Sequence, residues 1–265
     1  MTVLVIGAAG DLGGRVAAAL RARGAGVRGL ARRRVVGCVR GDLADPGSLD
    51  EACVDVTRMF LVSSPARNQV QLETNAIEAA ERARLERIVK VSNIPIDGLD
   101  AGLHGNHRAI ERRLATSRVS STVLQPSFFT TVIDRQRDLL ARGKLVLPTG
   151  RGKIAWIDPA DIAEVAAEAL VRDDVEGALH LTGPESLDGE EVAARLGVRR
   201  LDPPLDQWRA AAVAGGLDPW LADSTVHLYE AVARGALAPV TDTVARVLGR
   251  PATPPFGPSV PVDGH

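Results

Sequence analysis

The chain has 265 residues, with 32 Lys and Arg against 33 Asp and Glu, a formal net charge of −1. That length suits one large α/β domain or a domain with a small lobe, and it buries a core without disulfides or metals, while the even charge argues against a nucleic-acid partner, which calls for a basic face. Cys38 and Cys53 have neither CxxC spacing nor a histidine cluster, no apolar run approaches the about 20 residues of a membrane span, and the first residues lack signal-peptide features, so two buried thiols, no metal and a cytoplasmic protein away from membranes are expected.

Thr2 to Ile6 is a short apolar run, the pattern of a strand buried on both faces. After a glycine turn, Val16, Ala17 and Leu20 make a helical stripe that ends near Gly24. Val27 to Leu30 and Val35 to Val39 read as strands, and Pro46 starts a short helix. Met59 to Val62 is a strand ending at Ser63-Ser64-Pro65; Val70 to Arg84 is a helix with Leu72, Ala76, Ile77 and Ala80 on one face. Ile88 to Val91 is a strand ending at Ser92-Asn93, Asn106 to Ser117 a helix, and Ser121 to Leu124 a strand ending at Gln125-Pro126. Downstream, Phe128 to Gly143 reads as helical, Lys144 to Leu147 and Ile154 to Ile157 as strands, and Pro159 to Val171 as a helix. His180 to Thr182 follows, then helices near 188–196, 205–214, 218–233 and 241–248, and a Pro-rich tail from Arg250.

Alternating strands and helices specify a parallel sheet covered on both faces, with ligands beyond the carboxyl ends of its strands. The first such end is Gly7-Ala8-Ala9-Gly10-Asp11-Leu12-Gly13. A glycine triplet alone is a weak signal, but between a buried strand and an amphipathic helix it marks a dinucleotide site. Gly7 permits the turn, Gly10 lets the backbone approach a pyrophosphate, and Gly13 lets the helix pack closely, with the helix N-terminus facing the anion. The second strand ends in Ala31-Arg32-Arg33-Arg34, with no acid to accept from a ribose 2′-OH. Arg32 and Arg33 suit a 2′-phosphate, so the expected cofactor is NADP(H), with Asp42 and Leu43 flanking its adenine.

With these residues in place, the chain resembles the NmrA-like branch of the atypical short-chain dehydrogenase/reductase superfamily. The likeness rests on Val5-Ile6-Gly7-Ala8-Ala9-Gly10, Ala31-Arg32-Arg33, Gly41-Asp42-Leu43 and Phe60 to Pro65. It continues through His107 with Glu111, Thr122 to Phe129, Trp156-Ile157-Asp158, Leu181 to Glu185, and the helical end near Thr241 and Gly249-Arg250-Pro251. The resemblance implies a Rossmann-like, doubly wound parallel sheet in an α/β fold with a smaller, mostly helical C-terminal substrate lobe. The expected division is an NADP-binding core at 1–150, the substrate lobe with segments returning to the core at 151–250, and a Pro-rich tail at 251–265. It also implies that Ser63, Ser64 and Pro65 border the inner ribose, and that Gln125, Pro126 and Phe128 lie near the nicotinamide.

Typical short-chain enzymes carry Tyr-x-x-x-Lys, whose tyrosine passes a proton to the substrate carbonyl. The corresponding stretch here is Leu103-His104-Gly105-Asn106-His107, with leucine at the tyrosine position and histidine at the lysine position. His107 is the candidate for holding the ribose or relaying a proton, since histidine titrates near working pH; a helix-start histidine with a local hydrogen bond is the alternative. Ser92 and Asn93 are candidates for orienting substrate or nicotinamide amide, against a simple strand-ending turn. His104 reads as a solvated histidine in a loop from Asp97 to Asn106, and Asp158 and Asp161 as helix-start residues rather than an acid/base pair. Phe128, Phe129, Val132 and Trp156, with Trp208, Trp220 and Tyr229, are the apolar lining or the core.

The functional expectation is an NADPH-dependent reductase passing hydride to a small or polycyclic apolar ketone, quinone or imine, with proton delivery by water or His107. The competing expectation is a redox sensor of the same family that binds NADP without turnover and signals through a protein partner. A homo-oligomer is compatible with either.

Overall fold

The computed structural model of the chain describes residues 1–257. The rest of the expected tail, 258–265, lies outside the described residues. The chain divides into two compact units: 1–93, 103–126 and 159–180 form the first, and 94–102, 127–158 and 181 onward the second.

The first unit is built on β1 (Thr2–Ile6), β2 (Gly26–Ala31), β3 (Cys38–Arg40), β4 (Arg58–Leu61), β5 (Arg87–Val91), β6 (Ser120–Pro126) and β8 (Gly177–Leu181), in the order β3-β2-β1-β4-β5-β6-β8. From β3 to β6 every neighbouring pair is parallel. The chain runs outward from β1 through β2 to β3, then crosses back to place β4 on the other side of β1. That reversal is a topological switch point, and the carboxyl ends beside it hold ligands in such sheets. Val3, Leu4 and Val5 are fully buried, as their unbroken apolar run requires.

Helices α1 (Asp11–Ala22), α2 (Pro46–Ala52), α3 (Gln69–Arg82), α4 (Gly102–Ala115) and α6 (Pro159–Val171) cross between these strands. Val16, Ala17 and Leu20 bury the inner stripe of α1. Its end is tied to α6 by Arg23, which donates to Glu168 at 2.9 Å and Glu164 at 2.5 Å. Leu4, Leu49, Met59, Ile77, Ile88 and Ile110 centre one core. At the amino end of β5, the buried Arg87 guanidinium donates to the carbonyls of Ala169, Arg172, Val175 and Asp173 at 2.9–3.3 Å. Ala169 is one of the last-turn carbonyls that a helix leaves without partners, and the other three belong to the segment just after α6.

In the second unit, Phe128 to Gly143 is not one helix. A 3-10 helix (Thr130–Gln136) precedes the short α5 (Arg137–Leu140), because the β-branched Thr130-Thr131-Val132-Ile133 run disfavours a regular α start. Strand β7 (Lys144–Val146) pairs in parallel with β9 (Arg199–Leu201). Residues 154–157 form only isolated bridges, Ile154 with Leu187 and Ile157 with Phe129. Helices α7 (Gly189–Arg195), α8 (Leu205–Ala214), α9 (Pro219–Ala233) and α10 (Thr243–Leu248) complete the unit. Its core centres on Trp156, which is fully buried. The Trp156 ring meets Phe128 and Phe256 edge-on, each at 5.2 Å, and Tyr229 stacks edge-on against Trp208 at 5.1 Å. Trp156 and Tyr229 are therefore core residues. Burial pushes the Tyr229 phenol up to about 12, which makes it a poorer acid than usual.

Candidate active site

Gly7 sits in the left-handed region at φ 79°, where a side chain is strained. A Cβ there would also lie 2.9 Å from the Val62 carbonyl oxygen. The turn closes with the Gly10 amide donating to Gly7 O at 2.9 Å. A Cβ on Gly13 would approach Gly7 O to 2.1 Å, so only glycine lets α1 start this close to the strand. No side chain caps α1; Gly10 stands at its N-cap in extended conformation. The first-turn amides thus remain available to an outside acceptor, beside exposed Ala9 and Gly10 and half-buried Leu12. Exposed Asp11 pairs along the helix with Arg15 at 2.8 Å, which offsets its charge beside that mouth.

At the neighbouring strand end Ala31 is buried, while Arg32 and Arg33 are exposed and make no ion pair among the described residues. One strand further out, Asp42 accepts from the Ala44 amide at 2.9 Å, and its own amide donates to Ser48 Oγ at 3.0 Å. Leu43 is held from behind by Asn75, whose Nδ2 donates to its carbonyl at 2.8 Å. Glycine cradle, uncapped helix start and uncommitted guanidinium groups together fit an extended dianionic cofactor with a third phosphate at the arginines.

Beyond β4, Ser64 and Pro65 are exposed, but Ser63 turns inward and donates to Glu73 Oε1 at 2.7 Å. Glu73 has no exposed surface, and its Oε2 lies 2.8 Å from the equally buried ammonium of Lys90. Lys90 also donates to the Val91 carbonyl and faces His107 Nδ1 at 3.4 Å. Gln69 Nε2 adds a bond to Glu73 Oε1 at 3.1 Å. Lys90 and Glu73 went unnoticed in the sequence, although a signal existed. Glu73 stands on the α3 stripe with Ala76, Ile77 and Ala80, and Lys90 interrupts the apolar run at 88–91 in β5.

His107 is nine-tenths buried. Burial first, then Lys90, His104 and Arg108, hold its imidazole well below the ordinary range. An imidazole titrating near working pH is therefore corrected to a neutral one. His104 is corrected as well: α4 begins at Gly102, so His104 is helical and buried rather than in a solvated loop. Burial, with Arg108, lowers it to about 4.

A second network gathers Ser92, Asn93, Arg108, Glu111 and Gln125. Ser92 Oγ donates to Glu111. Arg108 reaches Glu111 at 2.7 Å, the Asn93 carbonyl at 2.8 Å and Asn93 Oδ1 at 3.2 Å. Gln125 Nε2 bonds both Glu111 oxygens at 3.1 and 3.2 Å. The Ser92 hydroxyl proton is thus engaged, and Ser92 is left as an acceptor. Pro126 is buried at the end of β6. Phe128 belongs to the second unit, where its ring packs on Trp156.

The profile of the NmrA-like family matches residues 1–196. The chain is 32% identical over 272 residues to an NAD(P)H azoreductase of Xenophilus azovorans, covering 94% of each protein. Its fold matches the NADPH-dependent quinone oxidoreductase QOR2 of Escherichia coli, solved with NADPH, at a TM-score of 0.86 with 25% identity and 97% of both chains covered. The triphenylmethane reductase of Citrobacter, solved with NADP(H), shares the fold at a TM-score of 0.84 with 22% identity, over 97% of this chain and 98% of that one. Among the described residues no helix is long and apolar enough to cross a membrane.

Proposed function

The chain belongs to the NmrA-like family, and we propose that it is an NADPH-dependent reductase passing hydride to an apolar quinone, imine or ketone. The observation that carries the cofactor is the pairing of a side-chain-free cradle at Gly7 and Gly13 with the acid-free Arg32-Arg33 strand end. When bound, NADPH supplies the hydride from its nicotinamide ring. The names of the azoreductase and quinone oxidoreductase relatives support an NAD(P)H-dependent oxidoreductase.

In this reading the α1 amides and the glycine turn take the pyrophosphate. Arg32 and Arg33 grip the 2′-phosphate, Asp42 and Leu43 flank the adenine, and Ser64 and Pro65 border the inner ribose beside Ser63. His107 donates to a ribose hydroxyl as a neutral imidazole. Asn93, whose amide oxygen is fixed by Arg108, keeps its NH2 group for the substrate or the nicotinamide amide.

No side chain in this reading acts as the proton donor. Leucine replaces the usual tyrosine, Ser92 is engaged by Glu111, and His107 is neutral. Water therefore delivers the proton, which favours acceptors that tolerate a late proton. A quinone forms a stabilised hydroquinone anion, and an iminium ion is already cationic; a plain ketone needs its alkoxide stabilised.

Steady-state NADPH oxidation against quinones, azo dyes, imines and polycyclic ketones tests this. Turnover with quinones or iminium ions above simple ketones is expected. Tight NADPH binding with no turnover on any acceptor would overturn it in favour of the redox sensor, to which the missing tyrosine points.

A further inference from the structure

The first unit buries a full ion pair, Lys90 with Glu73, against one edge of a histidine ring. A buried pair of this kind is weak as a source of stability, because desolvation offsets its attraction. Its geometry does something more specific.

We propose that Lys90 and Glu73 are positioning residues that fix His107 as a neutral imidazole with its proton on Nε2, so that it presents an N–H donor unchanged across neutral and mildly acidic pH.

Ammonium has three donors and no acceptor. Lys90 donates to the Val91 carbonyl, stands 2.8 Å from Glu73 Oε2 as an ion pair, and turns toward His107 Nδ1 at 3.4 Å. Nδ1 must therefore offer a lone pair, and the ring proton resides on Nε2. The carboxylate paired with Lys90 is itself anchored, since its other oxygen accepts from Ser63 at 2.7 Å and Gln69 at 3.1 Å.

The charged and titratable groups around the ring oppose a second proton. Lys90 faces it from β5, and Glu73 of α3 stands behind Lys90. His104 and Arg108 act on it from its own helix. The Glu73 carboxylate is paired with Lys90, and Glu111, one turn along α4, is engaged by Arg108, Ser92 and Gln125, so among the described residues an imidazolium would form without a counterion of its own.

The inference rests on the proposed role of His107 at the ribose for what Nε2–H binds, but its test does not. Nitrogen-15 NMR of the histidine side chains, recorded between about pH 5 and 8, reads tautomer and titration directly. Wild-type protein is expected to show His107 as the Nε2–H tautomer with no titration in that range. The Lys90→Met, Glu73→Gln double variant removes both charges together and so avoids stranding one. It should show mixed tautomers and a titration moving toward the ordinary value of about 6.5. Thermal melting confirms that the variant is folded, and Lys90→Arg gives a second folded protein that should keep the Nε2–H tautomer. An Nδ1–H ring in the wild type, a wild-type titration near 6.5, or an unchanged His107 signal in the double variant overturns the proposal. The two ideas fail separately: His107→Gln with unaltered NADPH affinity would remove the ribose role and leave the tautomer result standing.

Discussion

A Cβ placed on Gly13 would stand 2.1 Å from the carbonyl oxygen of Gly7, whereas one on its neighbour Gly14 would meet only Ala8 O, at 3.6 Å. The two adjacent glycines therefore predict opposite outcomes. Gly13→Ala forces α1 away from β1, at an overpacking cost of about 1–3 kcal/mol, and should weaken NADPH binding about tenfold or more, or about 1.4 kcal/mol. Gly14→Ala should stabilise the protein by roughly 0.5–1 kcal/mol through helix propensity and leave NADPH affinity unchanged. Fluorescence titration with NADPH and urea unfolding of both variants check the contrast; equal losses would place the cofactor elsewhere.

Arg32→Ala with Arg33→Ala should weaken NADPH far more than NADH. Charge-assisted bonds to a phosphate are worth about 1.5–3 kcal/mol each, so losing both arginines should weaken NADPH by roughly 100-fold or more, with NADH within about threefold. Parallel losses for both cofactors would refute the 2′-phosphate role.

Stability should fall on mild acidification. His104 and His107 are held neutral in the native state below the ordinary histidine value, His104 down to about 4. Below about pH 6.5 the unfolded chain binds protons that the folded chain refuses. Stability is thus fully present above that pH and declines as pH falls. For His104 the decline ends near pH 4 and amounts to about 3 kcal/mol. Urea unfolding at about pH 7.5, 6 and 5 should show it, and His104→Phe should flatten the slope. A wild-type stability constant over that interval would contradict the burial of both rings.

Arg87 stands at the opposite end of β5 from Lys90, with its guanidinium on four carbonyls, one in the last turn of α6 and three in the segment that follows it. Arg87→Ala should cost about 3 kcal/mol by orphaning them, a fall in Tm of roughly 6–12 °C at this size. NADPH affinity measured below the transition should stay within about twofold. A loss of binding without loss of Tm would mean that the functional edge extends to that end of the sheet.

The parts legible in the sequence are those where one physical demand dominates a local run. The Thr2–Ile6 run, the glycine turn and the strand ends at Ser63 and Ser92 were all readable, since a strand buried on both faces tolerates little besides apolar residues. Strand β9 was not, because Arg199-Arg200-Leu201 has no alternation and exists through its pairing with distant Lys144 to Val146. The Ile154–Ile157 run looks like a strand by composition but finds only bridge partners, its burial coming from aromatic neighbours. In the site, the arginines and glycines were legible by type and position. The partners of His107 were not: Glu73 and Lys90 are charges in apolar settings, each unfavourable alone, and their mutual compensation appears only when α3 and β5 are brought together. Cys38 was expected to be buried like Cys53 but is half-exposed. Burial first, then Asp50, pushes the Cys53 thiol up to about 11, leaving it unreactive.

Phe256 closes on Trp156, and the Pro255 carbonyl accepts from Arg195 at 3.2 Å. The last described residues are thus a keystone of the second unit's core, set far from Trp156 along the chain. During synthesis the N-terminal strands can pair early, and Phe128 precedes Trp156, but this indole gains its second ring partner only after nearly all of the described chain has emerged. A nascent chain stalled before Pro251 would therefore leave the Trp156 ring without the edge-on cover of Phe256.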